Sequence, residues 1–312
     1  MGISAPDPVA AALIRNVRER RVAEGLHCLD CGSTHVVRWG RFSGRQRYRC
    51  RSCGCCFSDL TATPLYYLKR LDAWPAYFRC LNSSQSLRRS AAEADVALST
   101  SFRWRHLILR AIRNMDGTRL RGFVEFAHAY LHDSDKGPRR RYAPQCVTSR
   151  QDPCFPPGTR PGCIIIVARD RLGGQRAERV GTRTFSGEQV RALFANFLAE
   201  DATLLCNSGR LGPYARLQRS CARSNCRRLI RVPKAGGEGL EVLHNRNARG
   251  WIVQFQKWLV RFRGVSTRYV PSYLTWRRRL DLVDSGQWLE ALMPCVARPP
   301  SPTLPEGRVT GR

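Results

Sequence analysis

The sequence predicts a multi-domain α/β chain in three parts: a small metal-held β module, a helical segment, and a larger mixed-sheet domain. Three observations lead there. Two C-x-x-C pairs sit close together near the N-terminus. Residues 63–115 read as helical. From residue 120 onward, short β-branched runs alternate with helical stretches. A length of 312 residues suits two or three modest domains, and 43% hydrophobic residues allow each a core.

Residues 1–25 form a basic amphipathic helix in this reading. Leu13, Ile14, Val17 and Val22 supply its apolar positions, with Arg15, Arg18, Arg20 and Arg21 between them. It contains no apolar secretory core, and no run in the chain is long enough to span a membrane. A cytoplasmic, nucleoid-associated protein without membrane contact is therefore expected. Fourteen cysteines in such a chain argue for metal ligands and buried thiols rather than disulfides.

Residues 26–62 carry Cys28-Leu-Asp-Cys31 and Cys50-Arg-Ser-Cys53. Each pair offers two thiolates on a tight turn, and four thiolates complete a tetrahedron around Zn²⁺. Gly32 and Gly54 follow the pairs, where such a turn needs a positive φ. Between them, Val36–Gly40 and Arg47–Arg49 read as a hairpin. This is the pattern of a zinc ribbon with structural zinc on Cys28, Cys31, Cys50 and Cys53. Cys55 and Cys56 stand close enough to replace Cys53, but only Cys53 keeps the two-residue gap. So small a module depends on its metal to fold. Arg45 and Arg47, with Arg38, Arg41, Arg49 and Arg51, give the hairpin a surface suited either to phosphates or to plain solvation.

Residues 63–116 hold a helix at Leu87–Ala94, a turn over Asp95–Leu98, and a second helix capped by Ser99. The apolar spacing Ala91/Ala92, Val96, Phe102, Leu107 fits a helix-turn-helix. In such a pair the second helix enters the major groove by its N-terminal residues, which would face Ser99, Thr100, Arg103 and His106 toward double-stranded DNA.

Residues 117–295 read as strands at Gly122–Tyr130, Cys163–Ala168, Arg176–Thr184, Thr203–Cys206 and Leu229–Val232. A helix capped at Ser186 runs through Leu198, and a long helix runs from Asn247 to Phe262. Three strands, helix, strand, strand and long helix is the order of an RNase H-like fold. Trp251, Trp258, Trp276 and Trp288 read as core. Cys206, Cys221 and Cys226 are read as buried thiols, in preference to a second metal site. Residues 135–162 lack periodicity, and residues 296–312, rich in proline and glycine, read as a disordered tail.

The charge identifies a partner. With 53 Lys and Arg against 24 Asp and Glu, the net charge is +29, spread along the whole chain. A polyanion would relieve that self-repulsion, and nucleic acid is the leading candidate. Lysine occurs only at Lys69, Lys136, Lys234 and Lys257. Arginine suits bidentate phosphate and guanine contacts, although a GC-rich genome also favours it. The run Arg277–Arg279 is equally readable as a phosphate contact or as a solvated face.

Taken in order, these parts resemble the zinc-ribbon, DDE-type bacterial insertion-sequence transposases of the ISXO-like kind. The matching residues begin with Tyr48-Arg49-Cys50-x-x-Cys53, Phe57-Ser58 and Thr63-Pro64-Leu65. They continue with Ser90-Ala91-Ala92, Phe102–Arg105, Gly122-x-Val124-Glu125, Lys136-Gly137 and Arg169-Asp170-Arg171-x-Gly173. They end with His244-x-x-Asn247, Arg261-Phe262-x-Gly264-Val265-x-Thr267-x-Tyr269 and Tyr273-Leu274-x-Trp276. The resemblance implies DNA strand transfer, with carboxylates holding two divalent ions, Mg²⁺ or Mn²⁺. It also makes a homodimer plausible.

The same resemblance implies that the metal ligands are gone. The first aspartate position is Ala127, within Val124-Glu125-Phe126-Ala127-His128-Ala129-Tyr130. Ser208 takes the second, after Cys206-Asn207, and the third falls on Arg249, a cation. A lysine expected two turns on aligns with Gln256. Glu125, Asp133, Asp135, Asp201, Glu238 and Glu241 are too dispersed to replace the set. A catalytically inactive, transposase-derived DNA-binding protein, acting as a regulator, is the expectation that follows. An active transposase with displaced ligands and a decaying remnant stay open as alternatives.

Overall fold

The computed structural model describes residues 8–23, 25–42, 45–63, 66, 70, 72–113, 119–131, 163–181, 197–199, 201–207, 229–232 and 244–282. They fall into two compact units, the first reaching residue 116 and the second spanning Gly117–Leu282. Both are mixtures of helix and sheet. The loop over 135–162, the helix capped at Ser186, and the tail over 296–312 lie outside the described residues, as do Trp288, Ser208, Cys221 and Cys226.

The first unit opens with α1 (Pro8–Ala23). Its apolar face is narrower than the sequence suggests: Val17 is buried and Ile14 half-buried, but Val22 is exposed. Polar contacts complete the docking. Arg18 reaches the buried Asp59 at 2.7 Å, and Arg21 donates to the Thr61 carbonyl. A three-stranded antiparallel sheet follows, made of β1 (Val36–Phe42), β2 (Arg45–Cys50) and β3 (Cys56–Ser58). Its inner face is a miniature core of Cys28, Tyr48, Cys50 and Phe57, with the Tyr48 and Phe57 rings stacked 5.5 Å apart.

Three helices complete the first unit: α2 (Trp74–Asn82), α3 (Leu87–Glu93) and α4 (Leu98–Arg113). The Ser86 side chain caps α3 by accepting from the Arg89 amide. The turn between α3 and α4 needs one left-handed residue, and Asp95 supplies it at φ +46°; Asp enters that region more readily than most residues. Two expectations fail here. Ser99 is not the cap, because α4 begins one residue earlier at Leu98, with the Ser101 amide bonding to the Ala97 carbonyl. Nor is Phe102 core. The buried stripe of α4 is Ser101, Trp104, Arg105, Ile108, Leu109 and Ile112, which leaves Phe102 exposed. A 3.6-residue period counted from Trp104 gives that phase, whereas counting across the turn from Val96 gives the wrong one. Arg105 is fully buried and donates to the Gln85 carbonyl and the Ser90 hydroxyl, fastening α4 to the approach and body of α3.

The second unit is a five-stranded sheet in the order β6-β5-β4-β7-β8. β4 (Phe123–Leu131), β5 (Cys163–Asp170) and β6 (Gln175–Gly181) form an antiparallel meander. β7 (Thr203–Asn207) and β8 (Leu229–Val232) add on parallel to β4. The described part of the third strand therefore starts at Gln175 and ends at Gly181. At the β5–β6 turn, Asp170 accepts from the amides of Leu172 and Gly174, while Gly173 takes φ +96°. Val124, Phe126, Ile164, Ile166, Ala168 and Leu204 form the core on one face. Helix α5 (Arg246–Val260) packs on β4 and β5, and α6 (Val270–Leu282) packs on β6. The long helix thus stops at Val260, two residues short of the expected Phe262. Trp251, Trp258 and Trp276 are buried as expected, in a chain of ring contacts with Phe255, Phe262 and Tyr273.

Candidate functional site

The two units each contribute a candidate site, of opposite character. In the first, two turns of the same construction face each other. The Gly32 amide bonds to the Cys28 carbonyl and the Gly54 amide to the Cys50 carbonyl, both at 3.0 Å. The Cys28 amide bonds to Ser33 and the Cys50 amide to Cys55. Gly32 and Gly54 hold φ +72° and +75°, a region that opposes a side chain.

These turns bring the Cys28, Cys31, Cys50 and Cys53 sulfurs within 4.8 Å of one another. Cys28 and Cys53 are 3.5 Å apart, and Cys31 and Cys50 are 3.6 Å apart. None is in a disulfide. Four thiolates on a zinc ion, at the usual Zn–S distance of about 2.3 Å, sit about 3.8 Å from each other, so the donor set fits the ion. Backbone N–H groups of Cys53 and Ser52 point at the Cys50 sulfur and pull its thiol down to about 6. The Cys55 amide also favours the Cys53 thiolate, but hydrogen bonding with Cys31 and burial outweigh it and push that thiol up to about 12. A bound cation supplies the charge that lets all four ionise together.

A buried carboxylate bonded to Tyr48 was not legible in the sequence. Asp59 is fully buried, accepts the Tyr48 hydroxyl at 2.8 Å and the Gln46 amide at 3.3 Å, and pairs with Arg18. It ties α1 to β2. Burial, followed by the hydrogen bond to Asp59, pushes the Tyr48 phenol up to about 12.

The opposite face of the ribbon is basic and aromatic. Arg45, Arg47 and Arg49 alternate with the inward Gln46, Tyr48 and Cys50 along β2. Phe42 stands opposite Arg45 in the ladder, and the Arg49 guanidinium lies 4.8 Å from the centroid of the Trp39 ring.

On the helical part of the first unit, Ser99 and Arg103 are exposed in the first turns of α4. Thr100 and His106 are half-buried, the latter ring 4.4 Å from that of Phe102.

In the second unit, the candidate catalytic positions Ala127 and Arg249 fall on β4 and on α5, which packs on β4, and the third follows, in sequence, the strand β7 that pairs with β4. Ala127 is buried on β4, two residues beyond Glu125 on the same face. Glu125 pairs with Leu205 of β7, so the end of β7 at Asn207 runs alongside Ala127, and Ser208 follows it directly in sequence. Arg249 is exposed in the first turn of α5. Together β4, β7 and α5 carry one acid, Glu125.

That acid is already engaged. Glu125, 1% exposed, accepts from the Asn247 amide at 2.8 Å, the Asn247 side chain at 2.7 Å and the Ala248 amide at 3.1 Å. His244 Nδ1 lies 3.3 Å from the same carboxylate. The second and third N–H groups of a helix are the ones a cap side chain ordinarily takes. Here the residue at the cap position, Asn245, turns its side chain to the Phe126 carbonyl instead. A strand glutamate caps the helix in its place, aided by the positive end of the helix dipole.

No family model matches the chain, and no solved structure matches it. Among curated proteins it is similar to one named "Uncharacterized protein in transposable element ISH50", from Halobacterium salinarum (strain ATCC 700922 / JCM 11081 / NRC-1). The two are 27% identical over 275 residues, covering 85% of this chain and 87% of the relative. That stretch is longer than either unit, so the similarity to a transposable-element protein extends over both.

Proposed function

We propose that this chain is a transposase-derived protein that binds double-stranded DNA and does not cut it. The observation that carries the reading is the Glu125 cap. Among the described residues of β4, β7 and α5 the single acid is buried and committed to Asn247 and Ala248. Two-metal strand transfer needs several carboxylate oxygens around ions about 4 Å apart. Ala127 offers none, and Arg249 would repel a cation.

Several observations support the rest. The sheet order, a three-stranded antiparallel meander joined to two parallel strands, supports an RNase H-like domain. The four-cysteine cluster supports a zinc ribbon, and α3 with α4 supports a helix-turn-helix. In that reading Ser99, Thr100, Arg103 and His106 meet base edges, while Arg45 and Arg47 meet phosphates. The net charge of +29 supplies affinity without sequence preference. Similarity to a protein of a transposable element makes the ends of such an element the first DNA to test.

Footprinting on candidate element ends at physiological salt tests the binding, and a strand-transfer assay with Mg²⁺ or Mn²⁺ tests the chemistry. A protected site with no joined product is expected. A joined product would establish the alternative, an active transposase with displaced ligands.

A further inference from the structure

The outer face of the ribbon combines features that duplex binding leaves unexplained. Trp39 is 49% exposed and Phe42 is 69% exposed, both on β1 of a sheet whose other face carries the module's core. A helix-capping or core role is ruled out by those exposures, and phosphate binding does not require aromatic rings. Around them, Arg45, Arg47 and Arg49 project from the neighbouring strand, and Arg49 stacks on Trp39. Gly40, at φ +66°, makes the bulge that separates Arg38 from Arg41 in the ladder. By that bulge Trp39 and Phe42, an odd number of residues apart, share one face: Trp39 with Arg49 and Phe42 with Arg45.

We propose that this face binds unpaired nucleotides, with Trp39 and Phe42 stacking on bases and Arg45, Arg47 and Arg49 holding the flanking phosphates. The inference rests on the DNA-binding reading above and specifies one substrate class for it, single-stranded segments such as those at melted or frayed DNA ends. Bases inside a duplex present only their edges, so exposed rings on a sheet gain little from paired DNA. Unpaired bases offer a π-face to any ring, irrespective of sequence. The guanidinium on Trp39 adds a cation–π contact and brings positive charge beside the stack. The occupant is polyanionic because the ring-bearing face carries three arginines and no acid.

The test compares the full-length zinc-loaded protein with Trp39→Ala and Phe42→Ala, both surface changes that leave the cysteines and the inner core intact. Affinity for an oligothymidylate of about 15 nucleotides and for a blunt duplex is measured at one salt concentration, with zinc content and sedimentation mass as controls. Each substitution is expected to weaken oligothymidylate binding about tenfold while duplex affinity changes less than about twofold. Phe42→Trp is expected to preserve it. Equal weakening on both probes would overturn stacking in favour of phosphate contact alone. Unchanged affinity on both probes would overturn the proposal and leave duplex binding standing. A fall in sedimentation mass with unchanged affinities would assign the face to a second copy of the chain instead. Failure of the unsubstituted protein to bind either probe would defeat the DNA-binding reading and this inference together.

Discussion

The two candidate sites differ in what holds them together. In the ribbon, four cysteines converge on a point, and the surrounding core is four residues with a few partly buried neighbours. Remove the ion and little remains to keep like thiols together. In the larger unit, a buried sheet face, an aromatic chain along α5 and α6, and the Glu125 cap hold the described elements together. A site whose metal is structural keeps its ligands or unfolds. On the function proposed above, the second site has exchanged metal ligands for alanine and arginine, a change that such an architecture can absorb because it does not hang on the ion.

The comparison can be broken from either side. The largest effect is expected at the ribbon: Cys50→Ser removes one thiolate, should reduce bound zinc from about one per chain to near zero, and should unfold the module. Zinc binding of this kind contributes on the order of 10 kcal/mol to folding. Elemental analysis together with the amide NMR signals of residues 28–58 would check it, and a Cys50→Ser protein that still holds zinc would mean that Cys55 or Cys56 takes over. A smaller effect is expected in the second unit. Glu125→Ala strips the cap from α5 and leaves the Asn247 and Ala248 amides without their acceptor, destabilising that unit by about 3 kcal/mol in denaturant unfolding. Added Mn²⁺ should leave both the normal and the substituted protein unchanged in that measurement. The smallest effect should come from Asp59→Ala. Arg18 is partly exposed and can turn to water, but the Tyr48 hydroxyl and Gln46 amide lose a buried acceptor, for about 2 kcal/mol. Thermal unfolding of zinc-loaded protein would read it, and a change confined to α1 would show that the carboxylate fastens the helix and not the ribbon.

What could be read from the sequence follows from the range of each interaction. The two C-x-x-C pairs and their glycines are local patterns, and the structure brings the four sulfurs together as that spacing implies. Strands β4, β5 and β7 begin within a residue of the positions read from alternation in β4, the β-branched run of β5 and the apolar run of β7. The phase of α4 was missed because a window crossing the turn at Asp95 mixes two helices, which left exposed Phe102 in place of buried Trp104. Glu125 and Asp59 were out of reach for another reason. Glu125 meets Asn247 across 122 positions and Asp59 meets Arg18 across 41. Glu125 is an acid in an apolar stretch, and that mismatch was the one available signal, since a charge on a core-facing position demands a partner; Asp59, between Ser58 and Leu60, gave none.

Titration of the purified protein with Mn²⁺ by calorimetry, after its zinc content has been measured, bears most directly on the division between a structural and a vacated chemical site. The account predicts about one zinc per chain, held through Cys28, Cys31, Cys50 and Cys53, and no heat of Mn²⁺ binding beyond dilution. Stoichiometric binding of two Mn²⁺ per chain would contradict it, and would mean that carboxylates elsewhere than at positions 127, 208 and 249 build a working centre.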